Sequence, residues 1–153
     1  MKKMLPKILI LIIFAFTVSC SFGEDETYII PTNYTGPVIV LFNQSTGKPE
    51  KYNNGKRIYE IDKNGILKTQ FVFQEGFRDI NYKYSNGKTV RYLWPSDKVW
   101  SDTINLNSKY KDSIYAYHAN NSDNLWFIVG KVKNLNLYQK RMDAKWDSLA
   151  PQK

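Results

Sequence analysis

The stretch Val38-Ile39-Val40-Leu41-Phe42 is an unbroken run of apolar residues directly after Gly36-Pro37. A short apolar run that is rich in β-branched residues and preceded by turn residues is typical of a strand buried on both faces. Through most of the chain after residue 26, apolar residues recur at every second position, which is the period of a half-buried strand. The 153 residues therefore predict a single strand-rich domain.

Further strands are indicated by apolar residues on both sides of turn sequences. Arg57–Ile61 and Ile66–Phe73 flank Asp62-Lys63-Asn64-Gly65, and this arrangement predicts a hairpin with glycine at a position of positive φ. Ser113–His118 and Leu125–Val129 are joined by six Asn-rich residues and predict another hairpin.

A hairpin is also predicted around Ser85-Asn86-Gly87-Lys88. Apolar residues alternate on both sides of this turn: Ile80, Tyr82, Tyr84, Val90, Tyr92 and Trp94. We predict a bulged loop that pairs Tyr82 with Tyr92, because cross-strand aromatic pairs on one face stabilise a sheet by about 0.2–1 kcal/mol each. Pro95 would end the second strand.

The last twenty residues have a helical period, with apolar residues at intervals of three or four: Leu135, Tyr138, Met142, Trp146 and Leu149. This spacing predicts one amphipathic helix from about Asn134 to Ala150, capped by Asn134 or Asn136. Such a helix most simply covers an open face or edge of the sheet, and the alternative is contact with a membrane or partner. We therefore predict a mainly β fold, an antiparallel sheet or a β-sandwich, with one C-terminal amphipathic α-helix.

The N-terminus has the pattern of an export signal. Three lysines precede the apolar run Ile8–Val18, which has 11 residues and is shorter than the roughly 20 that span a bilayer. Thr17-Val18-Ser19-Cys20 then resembles a bacterial lipoprotein signal, in which the cysteine is lipidated and the chain is cut just before it. Thr17 departs from the usual leucine. The alternative is an ordinary secretory leader in which Cys20 has no such role.

These features divide the chain into three parts. Residues 1–19 are predicted to be a lipoprotein signal peptide, residues 20–26 an acidic tether, and residues 27–153 one β-rich domain with a C-terminal helix. The acids Glu24–Glu26 resemble a surface-export signal of Bacteroidota-type bacteria, and the alternative is a short solvated tether. Ser rather than Asp after Cys20 argues against inner-membrane retention. We predict an outer-membrane, lipid-anchored protein on the periplasmic or cell-surface side.

Charge narrows the classes of partner. The segment from Thr27 onward contains 19 basic and 11 acidic residues, a balance of +8. This charge favours encounter with anionic envelope components, or it is simply a lysine-rich soluble surface. Because the basic residues are spread along the chain, we expect no nucleic-acid partner.

Few residues could carry chemistry. A single cysteine and a single histidine, His118, exclude an internal disulfide and multi-histidine zinc sites. The nucleotide-binding glycine motifs are missing, so no metal or cofactor is predicted and the protein is expected not to be an enzyme. The alternative is a carboxylate-dependent glycan hydrolase, with Glu60 and Asp62 or Glu75 and Asp79 as its acid pair.

Aromatic residues are in excess, with 20 in the segment from Thr27 onward. Tyr and Trp rings stack well on sugars, which makes Tyr82, Tyr92, Trp94 and Trp100 candidate ligand-binding residues for a glycan or protein of the envelope. The competing interpretation is that the hairpin aromatics build the core of a small β domain.

Several stretches together resemble a family of small bacterial (Bacteroidota-type) lipoproteins of uncharacterised function. They are Glu26–Val38, Arg57–Ile61, Asn64–Thr69 and Trp126–Gly130. The resemblance implies an exported β-rich domain and no catalytic residue. The sequence thus predicts a lipid-anchored envelope protein that acts as a binding or structural module.

Overall fold

A computed structural model of the chain describes residues 23–93, 112–121 and 124–149. Within these ranges the chain forms strands β1 (Glu26–Ile30), β2 (Gly36–Leu41), β3 (Tyr52–Asn53), β4 (Lys56–Glu60), β5 (Ile66–Lys68), β6 (Ile80–Tyr84), β7 (Thr89–Val90), β8 (Tyr92–Leu93), β9 (Tyr115–Asn121) and β10 (Asn124–Gly130). A short 3₁₀ turn, Val132–Asn134, leads into helix α1 (Leu135–Leu149).

The strands form two five-stranded sheets. The first has the order β3-β4-β1-β6-β7 and the second the order β5-β2-β10-β9-β8. In the first sheet, β1 runs parallel to both of its neighbours, β4 and β6. In the second, β10 is antiparallel to β2 and β9, while β2 and β5 are parallel. The predicted mainly β class with a C-terminal helix is confirmed, but the sheets are mixed rather than antiparallel.

The apolar run that begins at Val38 is unbroken because β2 lies between two apolar layers. Val38 and Val40 of β2 pack between the two sheets, in the cluster that includes Tyr28 and Phe127. Ile39, on the opposite side of β2, packs in a second cluster beneath α1. Both faces of this strand are therefore covered, as the sequence predicts. Its apolar residues are contiguous because neither face meets water.

Helix α1 covers the outer face of the second sheet, as predicted. Tyr138 and Met142 are buried in the cluster with Ile39, Tyr117 and Ile128. The helix begins at residue 135, so the proposed cap Asn136 lies inside its first turn.

The hairpin predicted around residues 62–65 is wrong. β4 pairs with β1 and β3 in the first sheet, whereas β5 pairs with β2 in the second, so the chain crosses between sheets at this turn. The physical reason is that β1 runs parallel to β4 and occupies the edge that a hairpin partner would need. Across this pairing Tyr28 stacks on Tyr59, with ring centroids 4.7 Å apart.

The hairpin around Ser85–Lys88 forms with a different register. Tyr82 lies opposite Val90 rather than Tyr92, and the Tyr84 amide donates to the Lys88 carbonyl (2.8 Å), which leaves a three-residue loop. The chain then leaves this sheet, because Tyr92 and the next residue pair in parallel with β9. The two tyrosine rings still meet, at 5.6 Å. Trp94 and Pro95 lie outside the described residues.

The hairpin predicted near the C-terminus is confirmed. β9 and β10 pair in antiparallel fashion, with a register shift between Trp126 and Ile128. β9 extends to Asn121 and β10 begins at Asn124, so both strands extend into the predicted loop. Their connection is therefore shorter than six residues.

Gly65 is the point where α1 is joined to the sheets. Lys145 on the helix donates to the carbonyl oxygens of Pro37 (2.7 Å) and Asn64 (2.6 Å). The Tyr34 hydroxyl also donates to Pro37 (2.5 Å). A Cβ on Gly65 would collide with the Tyr34 hydroxyl and lie 2.6 Å from the Pro37 oxygen. Only a residue without a side chain fits there.

We expect Gly65→Ala to destabilise the domain by about 1–3 kcal/mol more than Gly87→Ala, because it adds overpacking to backbone strain. Both glycines have positive φ, +75° and +86°, but a Cβ on Gly87 would meet nothing within 4 Å. Urea unfolding of both variants, followed by circular dichroism, measures the difference. Equal losses for the two would contradict the packing at Gly65.

Candidate functional site

Residues 23–26, which connect the predicted leader to the domain, are held by ion pairs to β4. Asp25 pairs with Lys56 (2.7 Å) and Glu24 pairs with Arg57 (2.6 Å). The hydrogen bond from Lys56, with that from the Asp79 amide, lowers the pKa of the Asp25 carboxyl. The acidic tether was predicted over residues 20–26, as a surface-export signal or a short solvated segment. Residues 23–26 of it lie against the domain, because opposite charges on β4 and the loop before β6 pair with their acids.

The loop Val72–Asp79 holds the same residues from the other side. The Gly23 amide donates to the Phe77 carbonyl (3.0 Å), and the Gln74 side-chain amide donates to the Glu24 carbonyl (2.7 Å). The Asp79 amide donates to the Asp25 carboxylate (3.2 Å). We call residues 23–26, Lys56, Arg57 and the loop 72–79 the N-terminal clasp.

The innermost residue of the clasp is Glu26, whose side chain is 1% exposed. Its Oε1 lies 3.0 Å from Nε of Arg78, a side chain that is 3% exposed. The Tyr28 hydroxyl donates to Oε2 (2.8 Å) and the Tyr59 hydroxyl to Oε1 (3.4 Å). A buried carboxylate is tolerated only when a counter-charge and hydrogen-bond donors replace water, and these three residues do so.

We expect Glu26→Ala and Arg78→Ala each to destabilise the domain by about 3–5 kcal/mol, because each leaves an uncompensated buried charge. Glu24→Ala is the control and should cost less than about 1 kcal/mol, since Glu24 is exposed. Chemical denaturation of the three variants and of the double variant provides the test. If the Glu26 and Arg78 losses simply add in the double variant, the two side chains are not coupled.

The sequence did not predict this cluster, although its pattern indicates the position of one member, Glu26. Glu26 has the same alternation as the core residues Tyr28 and Ile30, which places it on the inward face of a strand. Nothing in the local pattern indicates Arg78, which is 52 positions further along the chain.

Of the predicted ligand-binding tyrosines, Tyr82 is buried in the core and Tyr92 is partly buried against it. The rings of Tyr59, Tyr28, Tyr82 and Tyr92 stack in that order, with centroids 4.7, 5.4 and 5.6 Å apart. Tyr82 is therefore covered on both faces, and Phe127 packs against it at 4.8 Å from the second sheet. The Tyr82 ring is not available to a sugar, because this stack fills the space between the sheets. Trp94 and Trp100 lie outside the described residues.

Alkaline pH should unfold the protein through these tyrosines. Burial raises the pKa of Tyr28, Tyr59 and Tyr82 above the ordinary value near 10. The unfolded chain loses these protons first, so their contribution to stability is constant below pH 10 and falls as the pH rises further. Exposed tyrosines such as Tyr52 can ionise in the folded protein, so we expect a first tyrosinate step with intact circular dichroism and a second step that coincides with its loss. Tyr82→Phe should move the midpoint of the second step upward, and complete ionisation of the tyrosines with intact dichroism would contradict the burial.

Both carboxylates of one proposed acid pair, Glu60 and Asp62, form ion pairs with lysines. Glu60 forms an ion pair with Lys51, and Asp62 pairs with Lys48 at 2.5 Å. Glu60 lines a shallow cleft of about 250 Å³ together with Lys48, Pro49, Glu50, Lys51, Ile58, Leu67 and Thr69. Glu75 instead lines a different cavity of about 590 Å³ next to Val72 and Phe73, and Asp79 belongs to the clasp. The structure does not show either pair as two free carboxylates facing a common cleft.

Among the described residues, no group of three or more His, Cys, Asp or Glu is placed to hold a metal ion. In the same part of the chain, no helix combines the length and apolar character needed to cross a bilayer. Cys20 and the leader lie outside the described ranges, as do the side-chain contacts of His118.

Comparisons with known proteins give a family but no activity. Residues 23–125 match the model of a family described as "Family of unknown function (DUF6843)". A solved structure described as a "Putative Lipoprotein from Bacillus anthracis" is similar, at 14% identity and a TM-score of 0.41. The match covers 71% of this chain and 69% of that chain. No curated protein matches significantly.

Proposed function

The chain belongs to the DUF6843 family, whose function is unknown, and we propose that it is a lipid-anchored envelope protein. One observation carries this proposal. The chain's single cysteine, Cys20, directly follows a basic and apolar leader, at the position where lipoprotein signals carry the modified residue. The described fold follows at once, because Gly23 is already bonded to the domain. Several acyl chains on one residue would hold it firmly, since each buried methylene contributes about 0.8 kcal/mol.

The finer location that we propose is the outer membrane, on its periplasmic or cell-surface side. Ser21 after the cysteine supports release from the inner membrane, and the acids Glu24–Glu26 resemble a Bacteroidota-type export signal. In the structure these acids are paired with Lys56, Arg57 and Arg78 of the clasp. An export factor that reads them would therefore meet them before the domain has folded.

We propose a binding or structural role rather than catalysis. The support is that Glu60 and Asp62, one of the two predicted acid pairs, are paired with lysines and that the Tyr82 ring is enclosed in the core. The balance of +8 from residue 27 onward suits an anionic glycan or an acidic protein of the envelope. Trp94 and Trp100 remain the predicted contact residues for such a partner.

Metabolic labelling tests the anchor. We expect radiolabelled palmitate to be incorporated into the full-length protein and into a Ser21→Ala control but not into Cys20→Ala, because only the thiol of Cys20 can form the thioether. The mature wild-type protein should also sediment with membranes. Equal labelling of all three proteins, or a mature wild-type chain with a free thiol, would contradict the proposal.

A further inference from the structure

The exposed apolar side chains of the described residues are concentrated at one end of the domain. Six large hydrophobic residues are exposed in this part of the chain: Tyr52, Val72, Phe77, Ile80, Ile114 and Leu137. The two most exposed, Phe77 at 77% and Val72 at 59%, belong to one loop of the N-terminal clasp. Scattered exposed apolar residues need no explanation, but a cluster that includes an exposed phenylalanine indicates a contact surface.

Contacts with residues 23–26 place four of these six residues around the N-terminal segment. The Phe77 carbonyl accepts from the Gly23 amide, and Ile80 lies opposite Glu26 in the sheet. Arg57 links Val72 to Glu24, because it donates to the Val72 carbonyl (2.8 Å) and pairs with the Glu24 carboxylate. Tyr52 also interacts with Glu24. We call Tyr52, Val72, Phe77 and Ile80 the apolar rim.

The distance from this rim to the anchor is short. Only two residues separate Cys20 from Gly23, and three extended residues reach at most about 10 Å. Gly23 is hydrogen-bonded to the loop that carries Phe77. A lipid on Cys20 therefore keeps the rim close to the bilayer surface, at a distance limited by this short segment.

We infer that the apolar rim inserts into the membrane interface beside the lipidated Cys20, so that the domain lies on the bilayer by a fixed face. This inference rests on the proposed lipid anchor. The partner is the lipid surface to which the chain is attached. A covalent link of this length keeps that surface permanently close to Phe77 and Val72. The covalent link raises the effective concentration of the rim at the bilayer surface. It therefore favours a contact with lipid that each side chain alone would make only weakly.

The charges around the rim indicate which force dominates. Each base of the clasp pairs with an acid: Lys56 with Asp25, Arg57 with Glu24 and Arg78 with Glu26. Because acids are not outnumbered here, attraction to anionic lipid does not explain the contact. Apolar insertion does, and it should be as strong on neutral phosphatidylcholine as on bilayers with anionic phosphatidylglycerol, and insensitive to salt.

Site-specific fluorescence tests the inference in the mature lipidated protein. Because Cys20 is the sole cysteine and is blocked by lipid, Val72→Cys, Phe77→Cys and Leu137→Cys can each be labelled with one environment-sensitive dye. Leu137, 48% exposed on α1, is the matched control. In phosphatidylcholine vesicles we expect blue-shifted emission, and quenching by nitroxide lipids of at least twofold, at positions 72 and 77 but not at 137.

A second variant tests whether the loop inserts as a unit. Phe77→Asp in the protein labelled at position 72 should abolish most of the shift and quenching, while the lipid keeps the protein on the vesicles. Emission at 72 and 77 as solvent-like as at 137, in vesicle-bound protein, would overturn the inference and leave the anchor intact. Incorporation of a second dye at Cys20, with protein that does not float with vesicles, would overturn the anchor and the inference together.

Discussion

The buried carboxylate of Glu26 is the constraint on which the arrangement of this domain depends. A charge that is almost fully removed from water must be matched by a cation and by hydrogen-bond donors, and Glu26 obtains them from Arg78, Tyr28 and Tyr59. Arg78 belongs to the loop before β6. Burying Glu26 therefore brings that loop against the first residues of β1, and the clasp around residues 23–26 follows from this contact.

The stacked tyrosines have a related role between the sheets. The parallel pairing of β1 with β4 and β6 aligns Tyr28 with Tyr59 and Tyr82, since residues in register on one face of a sheet are neighbours. Phe127 of the second sheet packs edge-on against Tyr28 and Tyr82, so the aromatic layer joins the two sheets. Tyr28, Tyr59 and Tyr82, which contribute to the excess of tyrosine in the sequence, are therefore core residues. The hydroxyls of Tyr28 and Tyr59 donate to the buried carboxylate of Glu26.

Together these contacts give the domain a distinct end. The N-terminal segment, the two most exposed apolar side chains of the described residues and the buried ion pair all lie within the clasp. A lipid anchor on Cys20 would lie next to this partly apolar surface. Membership in a family of unknown function identifies no ligand, so this geometry is the most specific guide to how the protein works.

Local patterns in the sequence were sufficient for the strand-rich class, the doubly buried run at Val38–Phe42 and the helix near residues 135–149. Each depends on a period of apolar residues that any short segment displays on its own. The leader and Cys20 are likewise local signals. Which strands become partners is not local, and this is why the hairpin around Gly65 was predicted where the chain in fact crosses between sheets. The clasp joins residues such as Glu24 and Gln74, 50 positions apart, and the exposed Phe77 has meaning only beside Gly23. Tertiary structure alone decided these juxtapositions, because the energy of burying a charge or stacking a ring depends on which distant residue arrives to complete it.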